Sequence, residues 1–186
     1  MALAIIQPPA TMPVSLADAK MHCAVDGSAL DAQITRLIAA VTSWLAGPQG
    51  WLGRSLCDQT LEWTGTPWGP AILPRPPFLS LVEVHYLDGA AETEVSLDDV
   101  RAWGWEDGLT RAEPAGGWAW WSGDSRRLRI RYTAGYGTAL DPARPVDPGL
   151  QQAILTMVAR LLEDREALHQ PSARDLFGPW IVWGPA

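Results

Sequence analysis

The stretch RLRIRYTAGYG, residues 127–137, decides how the rest of the chain is read. Its first six residues alternate apolar and basic side chains, the period of a half-buried strand. Leu128, Ile130 and Tyr132 are therefore expected to face a core, with Arg127, Arg129 and Arg131 on the opposite face. The glycines that follow raise a second possibility, because a glycine loop between a strand and a helix is where a phosphate would be cradled. Leu140 stands where a dinucleotide fingerprint needs its third glycine, and Pro142, Pro145 and Pro148 separate the loop from the next helix. No helix N-terminus then points at the loop. The expected role of Gly135 and Gly137 is to let the chain leave a strand sharply.

Upstream of this strand the pattern keeps a period of two, in Thr60-Leu-Glu-Trp-Thr and in Leu81-Val-Glu-Val-His-Tyr-Leu, the latter closed by the hairpin signal Asp88-Gly89. Between them Pro67, Pro70, Pro74, Pro76 and Pro77 remove ladder donors and predict a stiff loop. Leu97-Asp-Asp-Val reads as a helical turn, with short strands expected near 100–105 and 118–121. Further towards the N-terminus the period becomes helical. Ser15 with Asp18 resembles a capping box and opens a short helix to about Cys23; Ser28 with Asp31 repeats the signal. Leu30, Ile34, Leu37, Ile38, Val41 and Leu45 then form one apolar stripe, stopped by Gly47-Pro48. Downstream, Asp147-Pro148 supplies an N-cap and a first-turn proline for a helix expected to reach about Leu168, striped by Leu150, Ile154, Met157, Val158, Leu161, Leu162 and Leu168.

A chain of 186 residues that is 47% hydrophobic can bury one good core, so a single domain is expected over 1–186. Its parts are N-terminal helices at 15–55, a β-rich insertion at 56–137, a long helix at 148–168 and a docking tail at 173–186. The expected fold class is α+β: a small helical core of two N-terminal helices and one long C-terminal helix, with the β-rich insertion between them and an extended apolar tail.

A net charge of −7 repels phosphates and anionic headgroups, which disfavours sequence-specific DNA binding. No apolar run approaches the roughly 18 residues of a membrane span, and the first residues lack a basic segment followed by a long apolar one, so synthesis and retention in the cytoplasm are expected. Cys23 and Cys57 are too few for a disulfide framework and read as small buried hydrophobes. His22, His85 and His169 show no metal-ligand spacing, so no metal and no cofactor is expected. Cys23 lies beside His22, but adjacent helical residues point about 100° apart, which argues against a catalytic pair. The carboxylate pairs Asp98/Asp99 and Glu163/Asp164 read as caps or solvated surface, and no enzyme is expected.

Three features suggest binding. Of eleven tryptophans, Trp63, Trp68, Trp103, Trp105, Trp118 and Trp120 crowd the middle third with Trp121 adjoining, which admits a carbohydrate-binding module as the rival to a β core packed with rings. The arginine face of Arg127, Arg129 and Arg131 needs carboxylate partners, from this chain or a neighbouring subunit. Phe177, Trp180, Ile181, Val182 and Trp183 lie beyond the last helix, where they either dock on a partner or fold back onto their own core.

The order of motifs resembles the head-tail connector (adaptor) proteins of tailed phages and phage-like gene transfer agents. The residues that carry the resemblance are Ile6-Gln-Pro-Pro, Pro13-Val-Ser-Leu-Ala-Asp-Ala-Lys, Val25-Asp-Gly, Gly53-Arg-Ser-Leu, Leu73-Pro-Arg-Pro-Pro, Val82-Glu-Val-His-Tyr-Leu-Asp-Gly, Ile130-Arg-Tyr-Thr-Ala-Gly-Tyr-Gly and Pro148-Gly-Leu-Gln-Gln-Ala-Ile-Leu. They span most of residues 5–168, and the tryptophan-rich segment at 103–121 departs from the pattern. The resemblance implies a structural subunit, assembled in the bacterial cytoplasm, that forms a homo-oligomeric ring under a dodecameric portal at the head–tail junction. It extends the channel through which DNA passes and meets a stopper or terminator protein on the tail side. The family's C-terminal segment commonly anchors to the portal, which matches Phe177, Trp180, Ile181, Val182 and Trp183 as docking residues, while Arg127, Arg129 and Arg131 are expected to pair between subunits.

Overall fold

The computed structural model describes residues 2–66, 69–88, 91–104, 109–116, 127–136 and 145–182. Their contacts divide into two compact units. One draws on Met1–Pro9 and Asp58–Gly135 together with Val182–Ala186, the other on Ala10–Cys57 and Tyr136–Ile181.

In the first unit, strands β1 (Ala2–Gln7), β2 (Gln59–Gly65), β4 (Phe78–Asp88), β5 (Ala91–Val95) and β8 (Arg127–Ala134) form an antiparallel sheet in the order β1-β2-β8-β4-β5. The strand read from 127–137 is its centre. Along β8 every second residue from Leu128 to Ala134 is buried, as the alternation requires. Strands β3 (Ala71–Leu73), β6 (Val100–Gly104) and β7 (Thr110–Pro114) form a second sheet in the order β3-β7-β6. The inner residues of both sheets share one apolar core that includes Leu61, Trp63, Leu73, Val84, Ala112, Leu128, Ile130 and Tyr132. Gly135, at φ +144, donates its N–H to the Pro77 carbonyl at 2.9 Å and turns the chain out of β8 in a conformation that favours glycine.

Tyr132 is 1% exposed, and its hydroxyl donates to the Pro74 carbonyl at 2.5 Å. Burial pushes that hydroxyl far above the ordinary tyrosine value, against a smaller opposing pull from Arg75. The folded pKa is thus raised above the unfolded one. The stabilisation is whole below about pH 10 and is lost as pH rises further, because the unfolded chain releases a proton that the folded chain retains. Tyr132→Phe should therefore flatten the decline of stability above about pH 10. Urea midpoints followed into that alkaline range check this, and parallel decline in the two proteins contradicts it.

In the second unit, α1 (Leu16–His22), α2 (Asp31–Ala46) and α3 (Pro148–Glu163) pack on one another. Ser15 caps α1, its Oγ accepting from the Asp18 N–H at 3.0 Å. Helix α2 starts at Asp31 without a side-chain cap; Asp31 instead pairs with Lys20 at 2.6 Å, and Lys20 also donates to the Gly27 carbonyl, closing the α1–α2 turn. The buried stripe of α2, Ile34, Ile38, Val41 and Leu45, joins that of α3, Leu150, Ala153, Ile154, Met157, Val158 and Leu161, in one cluster with Leu52, Leu56 and Phe177.

The expected fold class, a helical core with a β-rich insertion and a long C-terminal helix, is corrected by this architecture. The strands form a five-stranded sheet with an apolar core of its own, and that sheet begins with β1, in residues the sequence reading left without structure. A strand pairing so far along the chain leaves no local signal. The C-terminal helix is no longer than α2, at 16 residues each. It stops at Glu163 because Asp164 is extended and its carboxylate accepts from the Glu166 N–H and Gln170 Nε2, bonds that compete with helix continuation. Two further readings, at Gly89 and at 118–121, fall outside the described residues.

Candidate functional site

Two places gather the residues that the sequence marks for binding. The first is the outer face of the five-stranded sheet. On β8, Arg131 lies opposite Glu62 of β2 and Glu83 of β4; its Nε donates to Glu62 Oε2 at 2.6 Å, and its Nη1 lies 2.7 Å from Glu83 Oε1. The hydrogen bond to Glu62 holds the Arg131 guanidinium above its ordinary pKa, helped by the surrounding carboxylates. Arg129 donates from Nη2 to Glu92 Oε2 of β5 at 2.7 Å and lies 3.7 Å from Glu83, while His85 sits within 4 Å of both Glu83 and Glu92. Arg129 and Arg131 thus meet carboxylates of their own chain, on the adjacent strands β2 and β4 and, for Arg129, on β5 one strand beyond β4. Arg127 is exposed at the start of β8.

The second place is the segment that follows α3. A short turn at Ala167–His169 leads into α4 (Pro171–Asp175), and a last turn at Gly178–Trp180 ends at Ile181. Phe177 is fully buried. Its ring stands edge-on to Trp44 at 6.0 Å and to Trp51 at 6.3 Å, and those two indoles meet edge-on at 5.0 Å. Arg174 of α4 covers the Trp51 ring at 5.4 Å, a cation–π contact. Trp180 is half-buried against the helical core and donates from Nε1 to Asp147 Oδ1 at 3.1 Å. Ile181 and Val182 are half-buried, and Trp183 lies outside the described residues.

Of the five residues marked for docking, the structure therefore seals Phe177 inside the helical unit and sets Trp180 and Ile181 against the same core. Sequence reasoning missed Trp44, Trp51 and Arg174, and the second role of the N-cap Asp147, which hold this segment down. The available signal was the surplus of aromatic residues at both ends of the helical pattern, but nothing local pairs Trp44 with Phe177.

The tryptophans marked as a possible sugar platform divide. Trp63 is buried and Trp103 half-buried, while Trp68, Trp105, Trp118, Trp120 and Trp121 lie outside the described residues. Asp98 and Asp99 sit in a single turn at Leu97–Asp99 whose Asp98 N–H bonds Ser96 Oγ at 3.3 Å. Cys57 is buried; Cys23 is half-buried, and desolvation followed by the nearby charge of Glu163 pushes its thiol up, away from thiolate chemistry. Among the described residues, no group of three His, Cys, Asp or Glu side chains could hold a metal ion, and no helix is long and apolar enough to cross a membrane.

No protein-family model matches the sequence, and no curated relative is detected. Solved structures do match. A chain in the neck of an empty GTA particle computed with C6 symmetry superposes with a TM-score of 0.77 at 20% identity, covering 100% of this chain and 98% of that one. The fold is that of a gene transfer agent neck chain. A chain in the virion of a native gene transfer agent (GTA) particle shares this neck-chain fold at a TM-score of 0.70 and 19% identity, again over 100% of this chain and 98% of that one. A chain in the neck of a native GTA particle computed with C12 symmetry gives 0.65 and 21% over the same shares.

Proposed function

We propose that this protein is a non-enzymatic head-tail connector (adaptor) subunit, one copy in a ring under the portal of a phage or gene transfer agent particle. The observation that carries the proposal is the end-to-end match to a neck chain, 100% of this chain against 98% of that one at a TM-score of 0.77. A match that complete takes in the whole chain, both of its compact units included. The C6 and C12 symmetries of the matched necks support a ring of like copies. A net charge of −7 suits the wall of a channel that DNA must traverse without adhering.

In this reading the ring touches the portal on one side and a stopper or terminator protein on the other, and is assembled in the bacterial cytoplasm before it comes to lie at the head–tail junction. Trp180, Ile181, Val182 and Trp183 supply the portal contact, with Phe177 as the internal anchor from which they project. Exposed Arg127 is the first candidate of the arginine set for pairing between subunits, since Arg129 and Arg131 already meet Glu92, Glu62 and Glu83. The carbohydrate-binding alternative has no exposed tryptophan among the described residues to support it.

The test is co-sedimentation with portal rings of the same particle, using the full chain, a chain ending at Ile181, and the double variant Trp180→Ala, Trp183→Ala. The full chain should pellet with the rings, and both altered forms should bind at least about tenfold more weakly with unchanged far-ultraviolet circular dichroism. Failure of the full chain to bind overturns the adaptor reading. Unfolding of the double variant overturns the docking role of the two indoles.

A further inference from the structure

The contacts of Trp180 point to a device that the adaptor reading, on which this inference rests, does not itself supply. Asp147 Oδ1 accepts two hydrogen bonds, one from the Leu150 N–H at 3.0 Å, which caps α3, and one from Trp180 Nε1 at 3.1 Å. The same carboxylate thus closes the start of a core helix and holds an indole that lies thirty-three residues further on. The space beneath that indole is the second observation. A Cβ on Gly149 would lie 2.9 Å from Trp180 Cζ2, closer than such atoms approach, and 3.1 Å from Asp147 Oδ1, a tight contact. Glycine at the second position of α3 is what lets the edge of the ring, at Cζ2 and Cη2, approach the helix's first turn.

We propose that Trp180, seated on Asp147 and Gly149, locks residues 174–181 as a strap across the N-terminus of α3, and that the lock sets the direction in which the remaining docking residues, Val182 and Trp183, leave the helical unit. The strap is fixed at three points in succession: Arg174 over Trp51, Phe177 in the core, and Trp180 on the helix start. Its backbone adds two turns, Trp180 N–H to the Phe177 carbonyl at 3.0 Å and Ile181 N–H to Gly178 at 3.3 Å. A segment launched from a fixed point binds with less ordering cost than a free one, so the lock preorganises the contact with the portal.

The lock makes an unusual prediction of sign. Alanine is a better helix former than glycine and loses less entropy on folding, so at a free helix surface Gly149→Ala raises the melting temperature. With the indole seated there, the same change must displace it, and the melting temperature should fall. In the background of Trp180→Ala the closer obstruction is gone and Asp147 Oδ1, released from the indole, can yield the few tenths of an ångström that remain, so Gly149→Ala should then raise it. Measured on the isolated chain, this reversal tests the lock without any partner. The same sign in both backgrounds overturns it.

Co-sedimentation with portal rings then tests the directing role. Gly149→Ala should bind about tenfold more weakly than the unaltered chain, although it changes no residue of the docking segment. Unaltered binding by Gly149→Ala overturns the directing role. If the unaltered chain itself fails to bind portal rings, the adaptor reading falls and the directing role with it, and the melting-temperature cycle alone decides the lock.

Discussion

Phe177→Ala is expected to lower the unfolding free energy by about 3–5 kcal/mol, one of the two largest losses available to a single substitution in this chain. The ring is fully enclosed, so its removal leaves a cavity that the surrounding helices can only partly close. It also ends two edge-to-face contacts, with Trp44 and Trp51, each contributing about 0.5–1.5 kcal/mol beyond simple burial. Urea unfolding followed by tryptophan emission and near-ultraviolet circular dichroism measures the loss, because Trp44 and Trp51 report on this very packing. A variant that unfolds at the parent's urea midpoint but no longer binds portal rings would make Phe177 a docking residue. The enclosed geometry predicts the reverse order of effects: stability falls first, and portal binding falls only in proportion to the folded fraction.

Trp63→Ala should cost a similar amount, about 3–5 kcal/mol, in the sheet unit. Its indole is 3% exposed on the inner face of β2, between Leu61 and Gly65. A Cβ on Gly65 would lie 2.7 Å from the Trp63 ring, so the indole folds over that glycine and fills the space a side chain would take. Trp63→Phe keeps part of the apolar volume and should lose less. The comparison also bears on the sugar-binding rival. An indole used as a sugar platform could be removed with little change in stability and with loss of the fluorescence response to glycans. Parent-like stability of Trp63→Ala would contradict the core assignment.

The residues that carried most information in the sequence were those whose meaning is local. The alternation from Arg127 to Tyr132 specifies which side chains of β8 are buried, and the structure buries Leu128, Ile130 and Tyr132. Ser15 before Asp18 and Asp147 before Leu150 are caps because the geometry of a first helical turn brings those atoms together whatever lies around them. Gly135 at the end of β8 belongs to the same class. The candidate site was less legible. The aromatic tail could be seen to need burial or a partner, but Phe177 and Trp180 look alike in a sequence, and only their surroundings separate a sealed core ring from a half-buried strap residue.

By itself, then, the sequence determined the period of α2, α3, β2, β4 and β8, the start signals of α1 and α3 and the inward face of β8, all of them consequences of spacing within about one to three turns of chain. The tertiary structure decided everything that depends on which distant segments meet. It made Ala2–Gln7 an edge strand by pairing it with Gln59–Gly65, and it gave the strands a core of their own in place of an inserted role. It assigned Glu62, Glu83 and Glu92 to the arginines of β8, and it brought Trp180 down on Asp147 and Gly149. The physical reason is common to all four: each is a contact across long loops, and its free energy comes from burial and pairing that appear only once the partners are side by side.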